Sequence, residues 1–343
     1  RKVELSDSPE SRKDLFYAMG AIHREALSQP LDAIDVFRRV LEIDPSERAA
    51  WMQLDQLFEE TEQWTELLET LDAELMLATQ ADEANNLKFR IGKLWETHLF
   101  DPIKAIETYR EVLAKDAFHA ETTTSLEGMI SRGENEAMAA EVLEPIYRDA
   151  AEWEKLIHVY RLLNEASENV ERKLELHHEI GGIYEHRLGD SVSAFNTFAE
   201  ALKVDPVRVD VLDKLEELSA QLDLWEALVE RLDQRIDDLM EFASIRVLQL
   251  RVARIFEQEI NDPQSAISRF TRVLEGDPVD EAAIIALDRL YQREGQWLEL
   301  AEILRTRVMN TVEPDDLLAL QLRLGQLYQS ALEDENAALE IYQ

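Results

Sequence analysis

The sequence predicts an all-α fold, a solenoid of antiparallel helix pairs with about nineteen helices. Three observations predict it. One segment recurs in a single frame at intervals of 72, 89, 72 and 72 residues, and self-similarity at a fixed period marks stacked repeats. It reads PLDAIDVFRRVLEIDP from Pro30, PIKAIETYREVLAKDA from Pro102, SVSAFNTFAEALKVDP from Ser191, PQSAISRFTRVLEGDP from Pro263 and ENAALEIYQ from Glu335. Within it the apolar residues keep a helical period, with Ile34, Phe37, Val40 and Leu41 on one face. Gly and Pro are scarce, 10 and 9 of 343 residues, which favours long helices over strands and turns.

Each 72-residue unit holds two helix pairs, here named A–B and A′–B′. In the first unit helix A is expected over about 11–28. Pro30 opens helix B, because proline suits a first turn whose N–H has no partner anyway. Helix B stops near Asp44-Pro45, helix A′ follows over about 46–60, and helix B′ over about 62–80. The second pair carries its own marker. Trp64, Trp225 and Trp297 each lie 19 residues after Pro45, Pro206 and Pro278. A tryptophan recurring at apolar spacing is expected to anchor packing between helices.

The 89-residue interval departs from this plan. Asp116 to Trp153 spans 37 residues where Asp44 to Trp64 spans 20, and the 17 extra residues match one additional helix near 134–150. An odd helix in an up-down stack is expected to kink or alter its path around 132–166, the alternative being a local elaboration that leaves the path unchanged. The units are therefore expected over about 11–80, 81–166, 168–240 and 241–311, with a partial unit over 314–343. Together they form one solenoid over 1–343. The chain begins at Arg1 and stops at Gln343 inside a repeat, so a fragment of a longer array is expected.

These residues resemble the tetratricopeptide repeat. Helix A carries a small residue at Gly20, Gly92, Gly181, Ala253 and Gly325. Three residues later comes His23, Trp95, Tyr184, Phe256 or Tyr328. Helix B supplies Ala33, Ala105, Ala194, Ala266 and Ala338, each four residues before Phe37, Tyr109, Phe198, Phe270 and Tyr342. Small residues let A and B approach, and the ring fills the gap beside them. The terminal proline is Pro45, Pro206 and Pro278, with Ala117 in its place once. The A–B loop is one residue longer than the family pattern. The second pairs depart further, with Asp55, Glu127, Glu216 and Asp288 where Gly or Ala is the family's residue. A carboxylate does not enter a tight helix contact without a partner, so A′ and B′ are expected to be splayed or rotated. The resemblance implies a right-handed solenoid and a concave face lined by the A helices, where the family binds peptides or helices.

Placed on that face, the candidate partner-binding positions are Tyr17, Met52, Glu59, Glu60, Phe89, His178, Asp210, Asp213, Glu217, Arg254, Glu257, Arg289 and Arg293. Asp210, Asp213 and Glu217 form an acidic patch at helical spacing, and Arg289 with Arg293 a basic one. The family's clamp for a C-terminal carboxylate needs Lys at positions occupied here by Tyr17, Phe89, His178, Leu250 and Leu322, so that mode is excluded.

Chemistry finds little support. There is no Cys, hence no disulfide, thiol nucleophile or thiolate metal site, which suits cytoplasm or periplasm and decides neither. No HExxH and no phosphate-binding glycine loop occurs, and Gly181-Gly182 lies inside a helix pattern. His178 and His186 are two helical turns apart, too far to share one ion with His177 and Glu179. The net charge of −36 disfavours nucleic acid and anionic membranes and would steer a basic protein or peptide inward. No apolar run reaches membrane-spanning length. The expectation is a non-enzymatic, monomeric scaffold for protein or peptide partners, without cofactor or metal. A structural or self-assembling spacer array is the alternative.

Overall fold

Why each hairpin forms is visible at its turn. The computed structural model describes residues 8–342, so the array ends expected at Arg1 and Gln343 lie outside the described residues. Every A helix reverses into its B helix through one residue in the left-handed region: Ser28, Phe100, Gly189, Asn261 and Glu333, with φ between 52° and 68°. The reversal is closed by a backbone bond over six residues, from Gln29 N–H to the His23 carbonyl at 2.8 Å and from Asp101 N–H to Trp95 at 3.0 Å. Asp190, Asp262 and Asp334 repeat it at 2.8–2.9 Å. In two repeats the extra loop residue is absorbed as a π-helical turn, Ile22–Ala26 and Tyr184–Leu188. The B helix is then capped by the same aspartate: Asp101, Asp190 and Asp262 accept from the N–H three residues on at 3.0–3.1 Å. The A′–B′ turn repeats this logic, with Glu62, Ala151, Asp223 or Gly295 left-handed two residues before the tryptophan.

Nineteen α-helices follow among the described residues, with no strand. The chain divides into two compact units, residues 1–166 and 167–343. The first unit holds α1 (Pro9–Ala21), α2 (Pro30–Ile43), α3 (Arg48–Glu60), α4 (Trp64–Leu77), α5 (Ala81–Thr97), α6 (Pro102–Leu113), α7 (Ala120–Ser131), α8 (Glu136–Asp149) and α9 (Trp153–Ala166). The second holds α10 (Val170–Ile183), α11 (Ser191–Ala201), α12 (Val209–Leu222), α13 (Trp225–Asp238) and α14 (Phe242–Gln258). It continues with α15 (Pro263–Gly276), α16 (Glu281–Glu294), α17 (Trp297–Asn310), α18 (Pro314–Ser330) and α19 (Glu335–Tyr342). Within each unit every helix packs on the next, so the fold is a stack of antiparallel pairs.

The A–B contacts are as close as the small residues imply. A Cβ added at Gly20, Gly92 or Gly181 would stand 2.5–2.6 Å from the ring of Phe37, Tyr109 or Phe198. The B-helix alanines Ala33, Ala105, Ala194 and Ala266 are fully buried. The additional helix is α8, which buries Ala139, Ala140, Val142, Leu143 and Tyr147 against α6, α7 and α9. Trp153 then opens α9 as Trp64 opens α4. Trp64 and Trp225 lie half-buried against the core, and Trp64 stacks on His98 at 3.7 Å. Trp297 departs from this pattern and is 37% exposed.

Candidate interaction face

Three of the four second-pair carboxylates find an arginine on the next A helix. Asp55 of α3 is gripped by both prongs of Arg90 of α5, each at 2.7 Å. Asp288 of α16 receives Arg323 of α18 in the same way at 2.6 and 2.7 Å, and Arg307 of α17 donates to it as well. Glu216 of α12 accepts from Arg251 of α14 at 2.6 Å. In all three the arginine lies 35 residues after the carboxylate. Bidentate guanidinium–carboxylate geometry satisfies two acceptors at once, which lets Asp55 and Asp288 be buried.

A second set of rungs joins each A helix to the A′ helix beside it. Arg24, in the π turn that follows α1, donates to Gln53 at 3.2 Å and Gln56 at 2.8 Å and pairs with Glu60 of α3. Glu96 of α5 accepts from Arg132 at 2.8 Å and from the Tyr109 hydroxyl at 2.7 Å. Burial pushes Glu96 up, but the hydroxyl and the two cations Lys93 and Arg132 outweigh it and hold it below its ordinary value. Glu185 takes Lys214 of α12 at 2.9 Å, and Glu257 of α14 takes Arg289 of α16 at 2.6 and 3.1 Å. Thus α1, α3, α5 and α7 in the first unit are tied side by side by charge. So are α10, α12, α14, α16 and α18 in the second.

This network accounts for most of the predicted face. Glu257 and Arg289 are brought together as a rung. His178 reaches Asp210 at 3.2 Å and stands edge-on to Phe198 at 5.3 Å. Asp210 also accepts from Arg208 at 2.9 Å, Asp213 from Arg251 at 2.8 Å, and Glu217 from Lys214 at 2.9 Å. The acidic patch on α12 is therefore matched, carboxylate by carboxylate, to cations of its own layer. Glu59 lies 3.7 Å from Arg90, and Glu60 belongs to the Arg24 rung. Arg293 pairs with its neighbour Glu294 at 3.0 Å. Tyr17 and Phe89 turn inward, 5.8 Å from Phe37 and 6.0 Å from Tyr109. The Tyr17 hydroxyl is buried without a partner, and burial above all pushes it up to about 12. Met52 and Arg254 are exposed, Met52 by 55%.

The cations of the first set, Arg90, Arg251 and Arg323, are absent from the predicted positions. Their signal was the acid–arginine spacing of 35 residues, repeated three times. The inserted region differs. There Glu127 of α7 takes the Tyr147 hydroxyl of α8 at 2.6 Å and Lys155 of α9 at 2.9 Å, both on one oxygen. A cleft of about 440 Å³ opens beside it, floored by Ile130, Leu143 and Val159. Among the described residues no group of three or more His, Cys, Asp or Glu could hold a metal ion, and no helix is long and apolar enough to cross a membrane.

No family model matches the chain, and no curated protein matches it. Solved structures with a similar arrangement include Naa15/Naa10 bound to HypK-THB, at 10% identity and a TM-score of 0.30, covering 95% of this chain. This chain spans 57% of that one. MamA from Desulfovibrio magneticus RS-1 matches at 18% identity and a TM-score of 0.30, over 50% of this chain and 91% of that one. The C-terminal part of a TPR repeat-containing protein from Cytophaga hutchinsonii matches at 14% identity and a TM-score of 0.28, over 79% and 99%. The order and packing of the helices themselves make each unit a stack of antiparallel α-helix pairs.

Proposed function

We propose that the chain is a non-enzymatic scaffold that binds peptide or helical segments of partner proteins along the A-helix layer of each unit. The observation that carries this reading is the double set of charged rungs. They hold neighbouring helices at a fixed spacing, so side chains displayed one per helix need little further ordering on binding. Exposed apolar residues stand on that layer: Met52 in the first unit, Ile285 and Leu322 in the second, each about half exposed. The net charge of −36 favours a basic partner by steering it at long range. The α12 carboxylates contribute less to that preference than their number suggests, because each already has a cation.

The same compensation favours a second reading, a spacer array without a dedicated ligand. Light scattering and cross-linking capture separate the two. A scaffold stays monomeric and retains a distinct partner, whereas a spacer assembles with concentration and retains none. Met52→Glu together with Ile285→Glu and Leu322→Glu should abolish the capture. Leu31→Glu with Val192→Glu, at exposed positions on B helices, should leave it intact. Equal loss from both sets would refute the A-layer assignment.

A further inference from the structure

One position of the repeat changes the sign of its charge between junctions. Ten residues after the tryptophan that opens each B′ helix stand Glu74, Leu163, Arg235 and Arg307. At the α16–α17–α18 junction Arg307 donates to Asp288, which Arg323 also binds. At the α3–α4–α5 junction the same place, facing the Asp55–Arg90 rung, holds the carboxyl group of Glu74.

That carboxyl is poorly served. Its Oε1 is buried without a hydrogen-bond partner. The charged groups that face it are Asp55 and Arg48 from α3 and Arg90 and Glu83 from α5. Arg90 spends both prongs on Asp55, and Arg48 pairs with Glu83. Glu59 also lies 3.7 Å from Arg90, so the two cations already face three carboxylates, and a negative charge on Glu74 would have no counter-ion of its own. A buried charge without a partner is expensive, and a carboxyl in that position keeps its proton instead.

We propose that Glu74 is protonated in the folded first unit and that loss of this proton loosens the α3–α4–α5 junction. This makes the junction a pH-sensitive joint in a fold whose α16–α17–α18 junction carries, at the same position, an arginine that joins the rung. Burial first, and then the Asp55 carboxylate, push Glu74 up to about 7 against the pull of Arg90 and Arg48. A carboxyl raised in the fold contributes stability that is complete below its unfolded value of 4.5. The contribution is lost as the pH rises through about 7. Arginine at the same position does not titrate in this range. Met52 on α3 and Phe89 on α5 lie on the helices this joint connects, so their spacing would respond to pH near neutrality.

Hydrogen exchange of the full chain, read by mass spectrometry between pH 5.5 and 8 and corrected for intrinsic rates, tests the proposal. Peptides from α3–α5 should open about tenfold more at the upper pH, while those from α16–α18 serve as the internal reference. Glu74→Gln should flatten the α3–α5 response, and Glu74→Arg should flatten it and raise protection at pH 8. An NMR titration of the Glu74 carboxyl in the unaltered chain should show a midpoint near 7. A response unchanged in E74Q, or a Glu74 midpoint near the ordinary carboxylate value, would overturn the proposal. Should E74Q fail to fold, the titration and the contrast of α3–α5 with α16–α18 in the unaltered chain decide alone.

Discussion

Asp55 and Glu127 occupy the same position of the repeat in the same unit, and they are neutralised in different ways. Asp55 sits where the next A helix follows after one hairpin, and Arg90 of that helix grips both its oxygens. After Glu127 the chain inserts α8, so the helix that delivers a cation is α9, through Lys155, only 28 residues on. The frame position corresponding to Arg90, Arg251 and Arg323 is Glu179 after the insertion, which has no cation to offer. The carboxylate thus belongs to the repeat, and its cation comes from whichever helix the connectivity places beside it. The substitute is weaker in kind. Lysine is a point charge on a flexible stem, whereas arginine presents a planar fork matched to a carboxylate.

The largest expected effect asks whether α8 is as much a part of the stack as a regular helix. Leu143 of α8 and Leu71 of α4 are both essentially fully buried. Truncating either to alanine leaves a cavity costing about 3 kcal/mol. Urea unfolding should therefore show similar losses for Leu143→Ala and Leu71→Ala. A loss below about 1 kcal/mol for Leu143→Ala would mean that α8 is peripheral to the core.

A smaller contrast concerns the two carboxylates themselves. Asp55→Ala strands a part-buried guanidinium and should cost about 2 kcal/mol, discounted for the partial exposure of Arg90. Glu127→Ala frees a lysine that is half exposed and a tyrosine hydroxyl, and should cost about 1 kcal/mol. Equal costs would erase the distinction between fork and point charge. A double-mutant cycle for Asp55 with Arg90 should give a larger coupling than one for Glu127 with Lys155.

Acid should reveal the inserted rung separately. Burial pushes Glu127 up, but the Tyr147 hydroxyl and the Lys155 ammonium outweigh it and hold the carboxyl below its ordinary 4.5. A depressed carboxyl contributes stability that is present above 4.5 and lost as the pH falls through its folded value. Thermal melts between pH 6 and 3 should therefore show a shallower acid loss for Glu127→Gln than for the unaltered chain. Parallel curves would mean that the rung adds nothing.

Much of this was legible in the sequence, and the reasons differ by feature. The helices, the Gly–ring contacts and α8 follow from apolar periodicity and from the 89-residue interval, because burial is a local property of each helix face. The rungs were harder to read. A charged side chain at a helix contact looks like any solvated one until its partner is known, and the partner lies on another hairpin. Glu257 and Arg289 therefore read as two ligand-facing residues, although each is the other's ligand. The lone carboxylate at the Gly or Ala position was the visible clue, since it demanded a cation. The constant offset of 35 residues named which one, and it fails at Glu127 because the insertion shifts the frame.

The smallest effect tests what the two regions share. The turn into α4 and the turn into α9 both pass through a left-handed residue, Glu62 at φ 55° and Ala151 at φ 56°. Both close with a backbone bond of 2.9 Å, from Gln63 N–H to the Phe58 carbonyl and from Glu152 N–H to Tyr147. A side chain in that conformation is disfavoured by about 1 kcal/mol, and glycine relieves the strain at some cost in unfolded-chain entropy. Glu62→Gly and Ala151→Gly should each stabilise by about 0.5 kcal/mol, a rise of one or two degrees in melting temperature. Equal gains would show that the A′–B′ turn was carried intact to a place where it joins α8 to α9, while the rung beside it was rebuilt. A gain at Glu62 with a loss at Ala151 would show that the insertion altered the turn as well, and that the two junctions differ in backbone and not only in their choice of cation.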